Sequence, residues 1–120
     1  MPLDQITTFE QLKKKVADFR DERDWKQFHN PKDLATAISI EAGELQELML
    51  WVKEKDLDAT CGLKLGRIQE EMADVLIYLL SMANVLDIDL SFAVNSKLAK
   101  NAEKYSVEKS KGNALKYTEL

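Results

Sequence analysis

Residues 38 to 52 read ISIEAGELQELMLWV, and two glutamates, Glu41 and Glu44, interrupt an otherwise apolar helical pattern. A second stretch, EEMADVLIYL, sets Glu71 and Asp74 in a similar frame. At 100° per residue, Ile38, Leu45 and Leu48 fall within about 40° of Leu34, and Glu41 falls inside that stripe at about −20°. Glu44 follows one turn later, at the stripe's edge. In the second stretch Ile68, Met72, Val75, Leu79, Met82 and Leu86 form the expected core stripe, bordered by Glu71, Asp74 and Tyr78, while Glu70 points away. Packed face to face, the two helices would bring four carboxylates together. A lone carboxylate out of water is heavily penalised. It can protonate, pair with a basic residue, or bind a divalent cation. No lysine or arginine lies on the same stripes at matching depth. Oxygen-only ligands select Mg²⁺ or Mn²⁺ over zinc. Mg²⁺ keeps waters and bridges to phosphates, so the pattern points to a phosphorylated substrate. A single E-x-x-E spacing is ordinarily a solvated helix face. Two of them, each against an apolar stripe, favour the metal. Gly43, between the glutamates, costs about 1 kcal/mol against alanine, which suggests close packing or a close ligand.

Two further groups could serve such a site. Trp25, Phe28 and His29 lie in the short stretch DWKQFHN, Trp51 closes the glutamate helix, and Tyr78 stands one turn beyond Asp74. Aromatic faces beside a metal–phosphate site suit nucleobase stacking, although Trp25 and Phe28 could equally staple a helix start. His29 is the single histidine, which gives no histidine metal site and excludes the Glu-x-x-His pairs of a di-iron bundle. Lys97, Asn101 and Lys104 share a helix face and could take phosphate oxygens or simply be solvated. There is no P-loop, and no serine or cysteine nucleophile has a histidine base.

These residues need helices to position them. Strand-type alternation is almost absent, and the pattern reads as four helices, all-α. The first starts near Thr7 or Thr8, with Thr7 and Glu10 at capping-box spacing, and carries a stripe of Phe9, Leu12, Val16 and Phe19 to about Arg23. The second is capped by Asn30, has Pro31 at its first position and runs to about Val52. KEKDLDATCG reads as a polar loop. The third runs from about Leu63 to Leu86, and the fourth from an Asp89 cap to about Tyr105. The tail SVEKSKGNALKYTEL has no strong periodicity. Connections of this length suggest a four-helix bundle. Ile77 and Leu80 fall opposite the third helix's core stripe, so that helix is apolar nearly all round and a partner chain would cover it.

The chain has 120 residues, 45% of them apolar, and a net charge of −4. That suits one modest globular domain over residues 1–120 and argues against nucleic-acid binding, which usually needs a basic surface. The lone Cys61 excludes an intrachain disulfide and suits a reducing compartment. The N-terminus lacks a signal-peptide pattern, and no apolar run reaches membrane-spanning length. The expectation is a cytoplasmic protein with no membrane partner.

EAGELQEL followed by EEMADVLIYL resembles the E-x-x-E…E-x-x-D signature of the MazG-like all-α nucleotide pyrophosphohydrolases. RDERDWKQFHNPKDL, SKLAKNAEKY and KGNALKYTEL resemble segments of the dCTP pyrophosphatase group, so the likeness runs nearly the whole chain from about Phe9. Relatives in that group can carry a histidine where Val16 stands here, which bears on base preference. The resemblance implies a four-helix fold of the MazG-like type, assembled as a homodimer or a homotetramer built as a dimer of dimers. It implies Mg²⁺-dependent hydrolysis of a nucleoside triphosphate, dCTP or a modified dCTP, to the monophosphate and pyrophosphate, as a nucleotide-pool cleaner. Glu41, Glu44, Glu71 and Asp74 would be catalytic metal ligands. Trp25, Lys26, Gln27, Phe28, His29, Trp51 and Tyr78 would hold the nucleoside, and Lys97, Asn101 and Lys104 would face phosphates. The competing expectations are the same chemistry on dUTP or other nucleotides, and a non-catalytic helical oligomeric module.

Overall fold

The computed structural model describes residues 1–120, and its regular structure is entirely helical. The helices are α1 (Phe9–Glu22), α2 (Pro31–Glu47), α3 (Leu57–Leu63), α4 (Leu65–Leu86), α5 (Leu90–Lys104) and α6 (Val107–Ser110). The chain divides into two compact units, Met1–Asp87 and Ile88–Leu120. No single helix is long and apolar enough to cross a membrane.

In the first unit α2 packs chiefly on α4, and α1 packs on α4 as well. Each start has a local cause. The Thr8 hydroxyl accepts from the Gln11 amide at 3.1 Å, and the Gln11 side chain accepts from the Thr8 amide at 2.8 Å. The capping box is therefore Thr8–Gln11, one residue on from the expected Thr7–Glu10 pair, because Thr8 is the residue that takes the extended conformation a cap needs. Asn30 caps α2 as expected, accepting from the Asp33 amide at 2.9 Å, with Pro31 behind it at the first helical position.

α2 stops at Glu47 rather than Val52. The Leu48, Met49 and Leu50 amides bond three residues back instead of four, and Trp51 takes a left-handed conformation at φ 64°. The Lys64 ammonium donates to the Leu48 carbonyl at 2.9 Å and satisfies one of the orphan acceptors of that end. The stretch expected to be a polar loop instead forms a 3₁₀ turn, Glu54–Asp56, and the two turns of α3. Short helices of this kind are invisible to periodicity, since seven residues barely sample a face. α4 begins at Leu65 and ends at left-handed Asp87, φ 54°, whose amide bonds the Ala83 carbonyl.

The core is formed by Leu34 of α2, Leu48 just past its end, and Leu80 and Ala83 of α4. On α2 this is the expected stripe. On α4 it is not: Leu80 is 2% exposed, whereas Met72 and Leu79, assigned to the core, are 56% and 40% exposed, and Leu86 is exposed too. A helix apolar on every side gives the wheel no contrast from which to choose its inner face, and here the packing of α1 and α2 chooses it. The buried Ser81 hydroxyl on this face donates to the Ile77 carbonyl at 2.8 Å. On α1 the expected stripe is also displaced. Phe9 and Phe19 are exposed, Leu12 and Val16 are half-buried, and Arg20 is 8% exposed.

In the second unit Asp89 caps α5, accepting from the Phe92 amide at 2.9 Å. Ser106 caps the four-residue α6. The tail then folds back on its own unit: the Tyr105 and Tyr117 rings meet edge to face at 6.0 Å, and the Lys104 ammonium lies 4.8 Å above the Tyr117 ring.

Candidate active site

Glu41 and Glu44 stand one turn apart on α2, and Glu71 faces them from α4. One carboxylate oxygen from each of the three lies within 4.8 Å of the other two. Glu41 and Glu71 are half-buried, and Glu44 is exposed. No lysine or arginine forms an ion pair with any of them or with Asp74. One oxygen of Glu41 and one of Glu71, both Oε2, are buried without a hydrogen-bond partner. Burial, followed by the hydrogen bond and negative charge of Glu44 and then the charges of Asp74 and Glu71, pushes the Glu41 carboxyl up to about 7. The Glu71 carboxyl is raised by the same causes, burial first, against the opposing pull of Arg67. Asp74 therefore acts on the cluster by its charge, although its oxygens lie outside the tight triad.

Such an arrangement suits a hard divalent cation: oxygen donors only, two of them orphaned, and mutual repulsion that a positive ion would relieve. Glu41, Glu44 and Glu71 could hold it directly, with Asp74 adjoining. The close helix packing suggested for Gly43 is absent. A Cβ built there meets no atom within 4 Å, and Gly43 instead lines an open cavity of about 650 Å³ with Gln46, Glu47, Met49, Leu50 and Trp51. Trp51 is 90% exposed at the mouth of that cavity.

The aromatic connector is built as a platform beside the start of α2. Asp24 turns the chain in a left-handed conformation at φ 55°, and Lys26–Phe28 form one 3₁₀ turn. Trp25 packs edge-on against Phe19 at 5.9 Å. The Arg23 guanidinium lies 3.6 Å above the Phe19 ring and 6.0 Å from that of Trp25. Phe28 is exposed, and Gln27 is occupied within the connector by bonds to Asp24. Lys26 and His29 line a second cavity of about 360 Å³, together with Ala17, Arg20, Asn84 and Val85. Burial, and next the charge of Arg20, lower the His29 pKa. Tyr78 is half-buried one turn beyond Asp74. Lys97, Asn101 and Lys104 share a face of α5 in the second unit, with Lys104 drawn over Tyr117.

Arg20 and Asn84 escaped the sequence reading. The signal for Arg20 was available: on the wheel it falls about 20° from Phe9, a charge inside an apolar stripe, as Glu41 is on α2. Asn84 gave only a polar residue near the end of an apolar run.

Residues 36–120 match the MazG-like family model. Over 115 residues the chain is 42% identical to rat dCTP pyrophosphatase 1 and 39% identical to the human protein of that name, covering 94% of this chain and 68% of each relative. A solved pyrophosphatase from Archaeoglobus fulgidus superposes with a TM-score of 0.78 at 41% identity, over 81% of this chain and 91% of the other. The chain belongs to the MazG-like family. It is an enzyme of the pyrophosphohydrolase class.

Proposed function

We propose that this enzyme hydrolyses a deoxynucleoside triphosphate, dCTP or a modified dCTP, to the monophosphate and pyrophosphate in a Mg²⁺-dependent reaction. One observation carries the reading: carboxylates from α2 and α4 converge with two buried oxygens that nothing in the chain satisfies. The names of the relatives point to the substrate. Glu41, Glu44, Glu71 and Asp74 would hold Mg²⁺, and bound there the ion would neutralise triphosphate charge and activate water. Glu41 or Glu44 orients the attacking water and takes its proton. Water adds to the α-phosphorus, the bond to the bridging oxygen breaks, and pyrophosphate leaves. Trp25, Phe28, Trp51 and Tyr78 offer rings for the nucleoside, and Lys97, Asn101 and Lys104 are assigned to phosphate oxygens.

The unit at work would be one MazG-like four-helix domain over residues 1–120, assembled as a homodimer or homotetramer in the cytoplasm. The exposed Met72, Leu76, Leu79 and Leu86 on α4 support assembly, because water is a poor neighbour for such a face. The free Cys61 suits a reducing compartment.

The test is a pyrophosphate-release panel across the common ribo- and deoxyribonucleoside triphosphates and 5-modified dCTPs, with and without Mg²⁺. Mg²⁺-dependent release favouring deoxycytidine nucleotides is expected. Release with another base would keep the chemistry and move the specificity to dUTP or a further nucleotide. No release from any nucleotide would overturn the reading in favour of a helical oligomeric module.

A further inference from the structure

The cavity of about 360 Å³ between α1, the connector and the last turns of α4 has a donor and acceptor pattern of its own. Arg20 is almost wholly buried, yet its only protein partner is Asp21, which accepts from Nε at 2.8 Å. Its two Nη groups, a parallel pair of donors in a fixed fork, have no protein acceptor. Asn84 is oriented by its own bond, because Nδ2 donates to the Lys13 carbonyl at 3.0 Å. Asn84 lines the cavity, and that bond leaves its Oδ1 available as an acceptor. Nδ1 of His29 is buried with no partner. Chain atoms thus leave two adjacent donors and an acceptor at one cavity, whose lining is completed by Lys26 and by the apolar side chains of Ala17 and Val85.

The cavity also lies in register with the carboxylates. On α4 Val85 falls about 20° from Asp74 and about 16 Å further along, with Tyr78 on the same side between them. That separation is comparable to the reach of an extended nucleotide from its phosphates to the far edge of its base.

We propose that this cavity receives the base of the nucleotide and that Arg20 is a specificity-determining residue for cytosine. The inference rests on the nucleotide reading of the carboxylate site. The Watson–Crick edge of cytosine presents an exocyclic amine, then N3, then O2: one donor followed by two adjacent acceptors. The Arg20 fork matches N3 and O2, and Asn84 Oδ1 accepts from the amine. Uracil and thymine carry N3–H, which points a donor at a donor. Guanine offers paired acceptors only on its O6/N7 edge, where no amine adjoins them to meet Asn84.

The experiment has two arms. In the first, kcat and KM are measured for dCTP, dUTP and dGTP with the wild-type enzyme and with Arg20→Gln. The variant is expected to lose on the order of ten- to hundredfold in kcat/KM for dCTP, through KM with kcat retained, while dUTP changes little. An equal loss for every base, or a wild-type preference for dGTP, overturns the inference. In the second arm, metal-free wild-type protein is titrated with dCMP and with dUMP, and the ring signals of His29, the single histidine, are followed. Saturable shifts with dCMP at concentrations where dUMP gives none support the pocket, whether or not Arg20→Gln folds. Equal shifts, or none, overturn it. Because this arm needs neither metal nor turnover, selective dCMP binding without hydrolysis of any triphosphate would sink the proposed activity and leave the pocket standing.

Discussion

Two charges interrupt apolar stripes in the first unit, and the chain treats them in opposite ways. Arg20 on α1 is met by Asp21, whose carboxyl is held below its ordinary value chiefly by that hydrogen bond. Glu41 on α2 is met by Glu44 and Glu71, like charges that push its carboxyl up. An arginine with a local counter-charge stabilises the fold it sits in. A carboxylate among carboxylates works against the fold unless a cation arrives. The contrast separates a charge that the chain itself answers in part, through Asp21 at Nε, from a cluster of like charges that a divalent cation would relieve.

The largest expected effect comes from breaking the acidic side of that comparison. Glu71→Gln removes one charged oxygen donor while keeping its shape. Turnover under saturating Mg²⁺ should fall by about a thousandfold or more, the equivalent of several kcal/mol of lost charge stabilisation. Metal-free melting temperature should hold or rise, because one repulsive charge has gone. Arg20→Gln should do the reverse to stability and lower the melting temperature modestly, since it removes the packing of a buried side chain along with an ion pair whose carboxylate is exposed. If Glu71→Gln melts lower than wild type without metal, or turns over normally with it, the carboxylates are not a metal site.

The two sides of α4 allow a second comparison. Leu80→Ala should cost about 2–5 kcal/mol in denaturant unfolding, because a well-packed core does not collapse fully around the lost atoms. Leu79→Ala, one residue away on the exposed side, should cost less in a monomer. Leu79→Glu should instead lower the molar mass measured by light scattering, since a charge on that face would be buried in a dimer. A monomeric wild-type protein, or an oligomer indifferent to Leu79→Glu, would remove α4's outer face from the interface.

Much of this was legible in the sequence, for a reason that also marks its limit. The α2 stripe, the Asn30 and Asp89 caps and the convergence of Glu41, Glu44 and Glu71 follow from contrasts between neighbouring residue types. α4 has no such contrast, so its inner face lies roughly a third of a turn from the stripe that the wheel predicts. The end of α2 and the existence of α3 depend on i→i−3 bonds, a left-handed Trp51 and the Lys64–Leu48 bond between distant residues. No local pattern encodes those. The Arg20 cavity depends on three chain segments meeting, which a reading of one helix at a time does not combine.

A titration sharpens the comparison further. Glu41 has a folded-state pKa of about 7 against an ordinary 4.5, so the folded state holds its proton more tightly. Its contribution to stability is complete below pH 4.5 and is lost as the pH rises through about 7. Without metal, the melting temperature should therefore decline across that window. Mg²⁺ binds the ionised cluster, so its stabilising increment should be larger above pH 7 than below it. A Mg²⁺ increment independent of pH would place the ion away from Glu41.

The smallest expected effect tests whether the N-terminal boundary is understood. Thr7 and Thr8 are adjacent and chemically identical, yet only Thr8 closes a capping box, with bonds of 3.1 and 2.8 Å to Gln11. Thr8→Ala should cost about 1 kcal/mol, the usual loss for a cap replaced by alanine. Thr7→Ala should fall within about 0.5 kcal/mol of wild type, as surface substitutions without a specific partner do. Gln11→Ala should lose part of the Thr8 effect, and the double variant should show less than the sum of the two, because both remove one reciprocal pair. Equal costs at Thr7 and Thr8 would mean that the helix starts one residue earlier in solution, in the register that Thr7 and Glu10 would set.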